Sequence, residues 1–307
     1  MREVTFYLKP IPPFRLDLTV WALRRHPNNK IDNWNGEYRR LFIIEGNLTE
    51  IVVMQTGDYN QPELLVRAIG ETLPGSAREA ITAFLASLLG LNIDLTAFYS
   101  LAKDDAKLKP LVERFLGVKP PRFPTVFEGV VNGITFQQIS LAAGFRFLDR
   151  LSQNFGVELV GLGYPAFAFP RPEDLAFQTV EDIRGLGYTT NKARAIVELS
   201  RSIVNGDRNL EETNSMGDEE ALRFLDNIRG VGRWTAEYTL LRSLGRINIF
   251  PGDDIGARNK LKRWLGIEET LNYDSIRRIL SKYDPFSGMI YFHLLLDQLA
   301  RDRVIGN

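Results

Sequence analysis

A chain of 307 residues with 38 Lys+Arg, 38 Asp+Glu, 44% hydrophobic and 25% charged residues has the length of two or three domains and the composition of a folded protein rather than a disordered one. It has no cysteine and two histidines, His26 and His293; this excludes disulfides, thiolate zinc sites, iron–sulfur clusters and a cysteine nucleophile, and leaves little for a His-rich metal centre or histidine acid–base work. Zero net charge weighs against nucleic acid as a partner, but the sum hides its distribution: Arg258, Lys260, Lys262 and Arg263 cluster apart from Glu211, Glu212, Asp218, Glu219 and Glu220, so one face can still be basic. No apolar run of about 20 residues is present to span a membrane, and the start, MREVTFYLKP, lacks an apolar signal core. A soluble, cytoplasmic protein is expected.

The first ~75 residues read as mixed and strand-leaning. Arg2–Leu8 alternates, Leu16–Arg25 has helical apolar spacing, and Arg39–Glu45 and Glu50–Gln55 are β-rich runs joined by a turn expected at Gly46-Asn47. Gly70–Gly75 (GETLPG) marks a boundary. Helices are predicted over Ala77–Leu89, Leu95–Leu101 and Leu108–Leu116, followed by a Pro-rich linker at Lys119–Pro124. Further helices are predicted over Thr125–Gly133, Thr135–Phe155, Pro172–Thr179, Thr190–Asn205, Asp218–Ile228, Arg233–Leu244, Asp254–Leu265, Tyr273–Lys282 and Gly288–Val304, most of them punctuated by Gly, Pro, Asp or Asn. The fold class is α+β: a small α/β front and a long all-helical remainder. The pattern I-R-G-(L/V)-G occurs at Ile183–Gly187 and again at Ile228–Gly232, too few times for a repeat array.

Leu225–Ala236, LDNIRGVGRWTA, is the most informative segment. An apolar helix end meets Gly230-Val231-Gly232, and a new helix opens at Arg233, Trp234 and Thr235. Glycines there permit a tight turn, Val231 can fill the corner between two helices, and the free N–H groups at the second helix start form an anion site. On DNA that anion is a backbone phosphate, which positions without reading sequence. A dinucleotide-binding reading of the glycines needs a preceding strand, whereas Glu219–Ile228 is helix-like; a corner that merely packs remains open. Downstream, Phe250-Pro251-Gly252 breaks the chain before Asp253-Asp254, and Asp254 lies 20 residues after Trp234. Taken alone, either Asp is best read as a helix N-cap.

With these residues together, the chain resembles the helix-hairpin-helix (HhH-GPD) DNA glycosylase superfamily, and within it the 3-methyladenine DNA glycosylase II (AlkA-type) family. Phe127-Glu128-x-x-Val131, Gln137-Gln138-Ile139-Ser140, Phe169-Pro170-x-Pro172-Glu173-x-Leu175, Leu186-Gly187 with Lys192-Ala193, and Asp94-Leu95 with Phe98-Tyr99 extend the likeness. The resemblance implies a TATA-binding-protein-like α/β N-terminal domain over 1–76. It also implies two helical subdomains, 77–118 with 229–307 carrying the catalytic Asp, and 119–228 leading into a hairpin at 222–240. The implied reaction is hydrolysis of a damaged base's N-glycosidic bond in double-stranded DNA. Asp254 matches the catalytic carboxylate; Trp234, Tyr238 and Trp21 match pocket aromatics; Leu295 stands where another aromatic is usual, and Ile255 follows Asp254. Gln137 and Gln138 fall on the DNA wedge, with Gln138 the better match. Gly230, Val231, Gly232, Arg233 and Thr235 form the phosphate-binding hairpin, whose carbonyls at Asp226, Ile228 and Val231 match a Na+ or K+ site.

The chemistry fits these residues. An extruded base costs roughly a few kcal/mol, less when damaged; bond cleavage develops positive charge on the sugar, which a carboxylate stabilises while orienting water; and aromatic faces attract cationic bases. Bifunctional relatives hold a Schiff-base lysine at the Trp234 slot, so the resemblance implies a monofunctional enzyme that leaves an abasic site. No cofactor and no iron–sulfur cluster are expected. The partner is damaged duplex DNA, with a monomeric, nucleoid-associated protein and no membrane. Lys260 and Lys262 read as phosphate contacts or a solvated face. The alternatives are a same-fold glycosylase for 8-oxoguanine, uracil or a deaminated purine, and a non-catalytic hairpin module.

Overall fold

The computed structural model describes residues 1–306. The front of the chain forms a five-stranded antiparallel sheet from β1 (Arg2–Leu8), β2 (Asn33–Trp34), β3 (Tyr38–Ile44), β4 (Asn47–Gln55) and β5 (Leu64–Gly70), in the order β1-β5-β4-β3-β2. Phe6 faces Val66, Val66 faces Val53 and Val53 faces Tyr38 across neighbouring strands. Because alternate strand residues share a face, these line one surface, which α1 (Leu16–Arg24) and α2 (Ala77–Leu88) cover. The hairpin turn is Glu45–Gly46, one residue earlier than predicted: both have positive φ, 49° and 76°, and a two-residue turn of that kind matches the twist of the flanking strands. β5 was not anticipated, although it is the strand buried between β1 and β4.

The remainder is helical: α3 (Thr96–Lys103), α4 (Leu108–Arg114), α5 (Val126–Phe136), α6 (Leu141–Phe155), α7 (Pro172–Ala176), α8 (Val180–Gly185), α9 (Thr190–Val204), α10 (Asp218–Asp226), α11 (Arg233–Arg242), α12 (Ile255–Leu265), α13 (Tyr273–Leu280) and α14 (Ser287–Arg301). One apolar cluster gathers α3, α4 and α12–α14, and a second gathers α5–α10. α11 enters every large cluster, with Leu241 in the first, Ala236 and Leu240 in the second and Tyr238 in that of the sheet. A helix surrounded in this way has no solvent-facing side over its buried length, Thr235–Arg242, and its polar residues Thr235, Glu237, Thr239 and Arg242 are buried with the rest.

Two boundaries differ from prediction for reasons of packing. The break after α5 lies at 137–140, because Gly133 is a notch rather than a stop: a Cβ there would sit 2.5 Å from Cγ2 of Thr235 on α11. Lys119–Pro124 is no exposed linker. Lys119 is fully buried, with Nζ donating to the Ile93 carbonyl at 2.7 Å. The earlier I-R-G-L-G turn packs, Gly187 (φ +108°) lying against Phe147 where a Cβ would be 2.7 Å away.

Candidate active site

The corner between α10 and α11 is built from backbone. Ile228 donates to Leu225 O at 2.9 Å and Val231 to Ile228 O at 3.0 Å. Gly230 sits at φ +78°, and a Cβ on it would lie 2.8 Å from that of Ala195 on α9. Ile228 and Val231 turn inward and are buried. Gly232, extended, occupies the N-cap of α11 with no side-chain cap, and it and Arg233 are exposed, so first-turn N–H groups are open to an anion. Thr235 differs from its expected part: its side chain is buried, and its Oγ1 accepts from Gln137 Nε2 at 2.9 Å, leaving its backbone N–H as the group available at the helix start.

Gln137 and Gln138 have different surroundings. Gln137 Nε2 also donates to Gly230 O at 2.8 Å, and Lys192 Nζ donates to Thr135 O at 2.8 Å and Gln137 O at 2.6 Å; burial lowers the Lys192 pKa. The loop after α5 is thus fastened to the corner. Gln138 is exposed and left-handed, φ +57°, which projects its side chain from this anchored loop.

Asp254 is the N-cap of α12, its Oδ1 accepting the Ala257 N–H at 2.9 Å. The capping reading is therefore correct, and it leaves Oδ2 without a partner among the described residues. The preceding loop is held on several sides. Arg258 donates to Gly252 O at 3.0 Å; Asp253 pairs with Arg258 at 3.3 Å and lies 4.0 Å from Arg233. Gly252 is backed by the Tyr273 ring, which a Cβ would approach to 2.9 Å. Buried Glu237 of α11 accepts from the Tyr273 hydroxyl and the Gly252 N–H, and burial pushes its carboxyl up to about 7.

Trp234 stacks on Tyr238 at 5.7 Å, and Tyr238 also meets Phe123 at 5.9 Å. Trp21 packs against the α14 cluster with the Arg24 guanidinium 4.5 Å from its ring, rather than joining that stack. Leu295 is buried and, with Phe250, Ala257, Lys260, Tyr291 and Leu294, lines a small cavity beside Asp254. Lys260 is accordingly no solvated-face lysine. Both its Nζ and Asp254 Oδ1 lie close to the space over Gly256, and burial lowers its pKa despite the nearby Asp254 charge. Its sequence signal was Gly256, one helical turn back, which opens that space. Lys262 does lie outside, donating to Glu268 O at 3.0 Å.

Two further guanidiniums in this region were missed. Arg242 is fully buried and donates to Ala22 O at 2.7 Å and Leu23 O at 2.8 Å, closing the C-terminus of α1. Arg25, the left-handed C-cap of α1 (φ 59°), lies 4% exposed among Phe136, Phe145 and Tyr238. Neither histidine joins the site: His293 is buried beside Phe98, with Nδ1 against Met289 O at 2.8 Å and its pKa lowered to about 4 by burial.

Comparison with known proteins meets this geometry. The chain is 28% identical over 283 residues to a DNA-3-methyladenine glycosylase of Bacillus subtilis, covering 92% of this chain and 93% of that protein. It is 27% identical to DNA-3-methyladenine glycosylase 2 of Escherichia coli over 179 residues, 58% of this chain and 60% of that protein. The solved 3-methyladenine DNA glycosylase of Archaeoglobus fulgidus superposes with a TM-score of 0.83 at 28% identity, covering 95% of this chain and 97% of that one. The family model of the HhH-GPD superfamily base excision DNA repair proteins matches residues 131–285, half of the chain, which therefore belongs to that superfamily.

Proposed function

We propose that the protein is a base-excision DNA glycosylase that extrudes an alkylated base from duplex DNA and hydrolyses its N-glycosidic bond. The observation that carries this reading is Asp254: a carboxylate fixed at a helix N-terminus by one oxygen, with the other uncommitted, next to the cavity that holds Leu295 and Tyr291. As the bond lengthens, the deoxyribose gains positive charge, which the free oxygen stabilises while orienting the attacking water. The base lies against Trp234, Tyr238 and Leu295, with Trp21, set apart from the Trp234–Tyr238 stack, at the front-domain side. Gln138 fills the vacated stack, and Gln137 braces the loop that presents it. The amides after Gly230-Val231-Gly232, with Arg233, hold a phosphate next to the lesion.

The same reading makes the enzyme monofunctional: Trp234 supplies no amine, and Lys260 serves as a counter-cation to Asp254. No cofactor takes part. A Na+ or K+ ion fits the corner through the carbonyls of Asp226, Ile228 and Val231; Ile228 O already accepts the Val231 N–H, so it has one lone pair left for an ion. The front sheet with α1 corresponds to a TATA-binding-protein-like domain over 1–76, and α2, just beyond that bound, packs on the same sheet. The helical part divides into 77–118 with 229–307, and 119–228; the two apolar clusters follow this only in outline, since residues of 77–91 pack with the sheet and Val231, Ala236, Leu240 and Leu244 pack with the second cluster. The protein acts as a monomer where the chromosome is. The test is incubation with methylated duplex DNA and identification of released bases, with borohydride added in a parallel reaction. Free alkylpurine without strand cleavage or covalent adduct is expected; cleavage without alkali, or a trapped adduct, contradicts the monofunctional assignment.

A further inference from the structure

Glu237 stands one helical turn beyond Arg233 on α11, so the two share a face, and that face meets the loop that delivers Asp254. The Glu237 carboxyl accepts from the Gly252 N–H and from the Tyr273 hydroxyl of α13. Gly252 is held at its other end as well, Arg258 of α12 donating to its carbonyl at 3.0 Å. Behind it stands the Tyr273 ring, which a Cβ would approach to 2.9 Å. Gly252 is thus fixed at its amide, at its carbonyl and from behind, two residues before Asp254, whose own N–H donates to Pro251 O at 3.0 Å. The Arg233 guanidinium completes the group, 4.6 Å from the Tyr273 ring centre and 4.0 Å from Asp253. The helix that opens at the phosphate corner therefore also grips the loop of the carboxylate.

Packing alone does not call for a glutamate here. Glu237 is 2% exposed, and its Oε2 is buried without a partner among the described residues. An unanswered buried acceptor costs about 1–3 kcal/mol, and an apolar side chain would strand no oxygen. Neighbouring charge does not repay this, since Asp253 opposes the anion more than Arg233 favours it. What the carboxyl does supply is an acceptor at the one peptide that sets the course of the chain into Asp254. The position matters to the reaction, because a misplacement of about 1 Å can cost on the order of 100-fold in rate.

We propose that Glu237 is a positioning residue for base release: by holding Gly252 to α11, it sets where the free oxygen of Asp254 meets the sugar. It acts through Asp254 and not on the lesion. This rests on the glycosylase reading above and extends it from the carboxylate to the group that places it.

The experiment measures single-turnover release of alkylpurines from methylated duplex DNA, and in parallel the affinity for an uncleavable duplex carrying a tetrahydrofuran abasic site. Glu237→Gln keeps an acceptor oxygen in a neutral side chain of the same shape; Glu237→Met keeps the length and loses the acceptor. The Met variant should release base about tenfold or more slowly with affinity within about threefold of wild type, and the Gln variant should stay within about threefold of wild type in both. In an Asp254→Asn background the Met substitution should cost less than about twofold, because the group it places is already gone. An equal loss in the Gln and Met variants, a loss shared evenly by rate and affinity, or the full loss reappearing beside Asp254→Asn overturns the inference and leaves the glycosylase standing. If the Met variant does not fold, Tyr273→Phe carries the comparison: a loss of about threefold or more in release alone is expected, and an unchanged rate overturns the inference. Release of no base by the wild-type protein overturns the glycosylase reading and this inference together.

Discussion

Glu237 is buried on α11 and accepts from Tyr273 and Gly252, the loop that leads into Asp254. Its carboxyl, near 7 in the fold through burial, titrates close to the ordinary Glu value of about 4.3 when unfolded. A folded pKa above the unfolded one means that the native state holds the proton more tightly. The stabilisation this gives is complete below about pH 4.3 and is lost as pH rises through about 7. Glu237→Gln, which mimics the protonated form, should therefore flatten stability between those limits and exceed wild type at pH 8 by on the order of 2 kcal/mol. Urea unfolding at pH 5 and pH 8 measures this; parallel curves for the two proteins would contradict it. The two glutamines of the loop after α5 give a second contrast. Gln137→Ala, losing two bonds to the corner, should cost about 1–2 kcal/mol. Gln138→Ala should stay within about 0.5 kcal/mol of wild type yet weaken retention of lesion duplex. Equal losses of stability would show that Gln138 is not the free member of the pair.

At the scale of elements, the α10–α11 corner depends on two glycines for different reasons: Gly230 needs φ +78° and room beside Ala195, and Gly232 is an exposed extended cap. Gly230→Ala should cost about 1–3 kcal/mol and reduce DNA affinity, measured by denaturant melts and salt-dependent binding; a variant as stable as wild type would mean that the corner tolerates a Cβ. This corner was legible because its whole geometry lies in a dozen consecutive residues, and so was the N-cap position of Asp254. What surrounds Asp254 was not. Lys260 and Tyr291 beside it, and Glu237 behind its loop, come from α12, α14 and α11, and periodicity along one element carries no information about what meets it from another. Burial on all sides of α11 also erased the amphipathic signal that would have marked its inward face. The strand β5 was overlooked although it carries the period-2 alternation of a strand, with Leu64, Val66 and Ala68 buried and the residues between them half-buried. The break placed at Gly133 was wrong because a glycine in a helix can be a packing notch for the neighbouring helix as readily as an end.

For the molecule as a whole, the front sheet is bound to the helices through buried charge. Arg40 on β3 pairs with Asp32 at 2.9 Å and with Glu128 on α5 at 2.6 Å, all nearly inaccessible. Removing one member strands the other in a medium where an unpaired charge is costly, so Glu128→Ala should destabilise the protein by about 3–5 kcal/mol, read from its denaturant midpoint; a loss below about 1 kcal/mol would indicate that the sheet is held on by apolar packing alone. The sheet bears on the helical part because α1, which packs on it, is tied to α11 by Arg242. The Asp254 carboxylate is the centre of the account, and it allows a clean substitution, since asparagine is as good an N-cap as aspartate. Asp254→Asn should keep α12, fold as stably as wild type to within about 0.5 kcal/mol and bind lesion duplex normally. Its single-turnover rate of base release should fall by a factor on the order of 100 to 10,000. Base release at the wild-type rate by this folded, DNA-binding variant would contradict the account at its root.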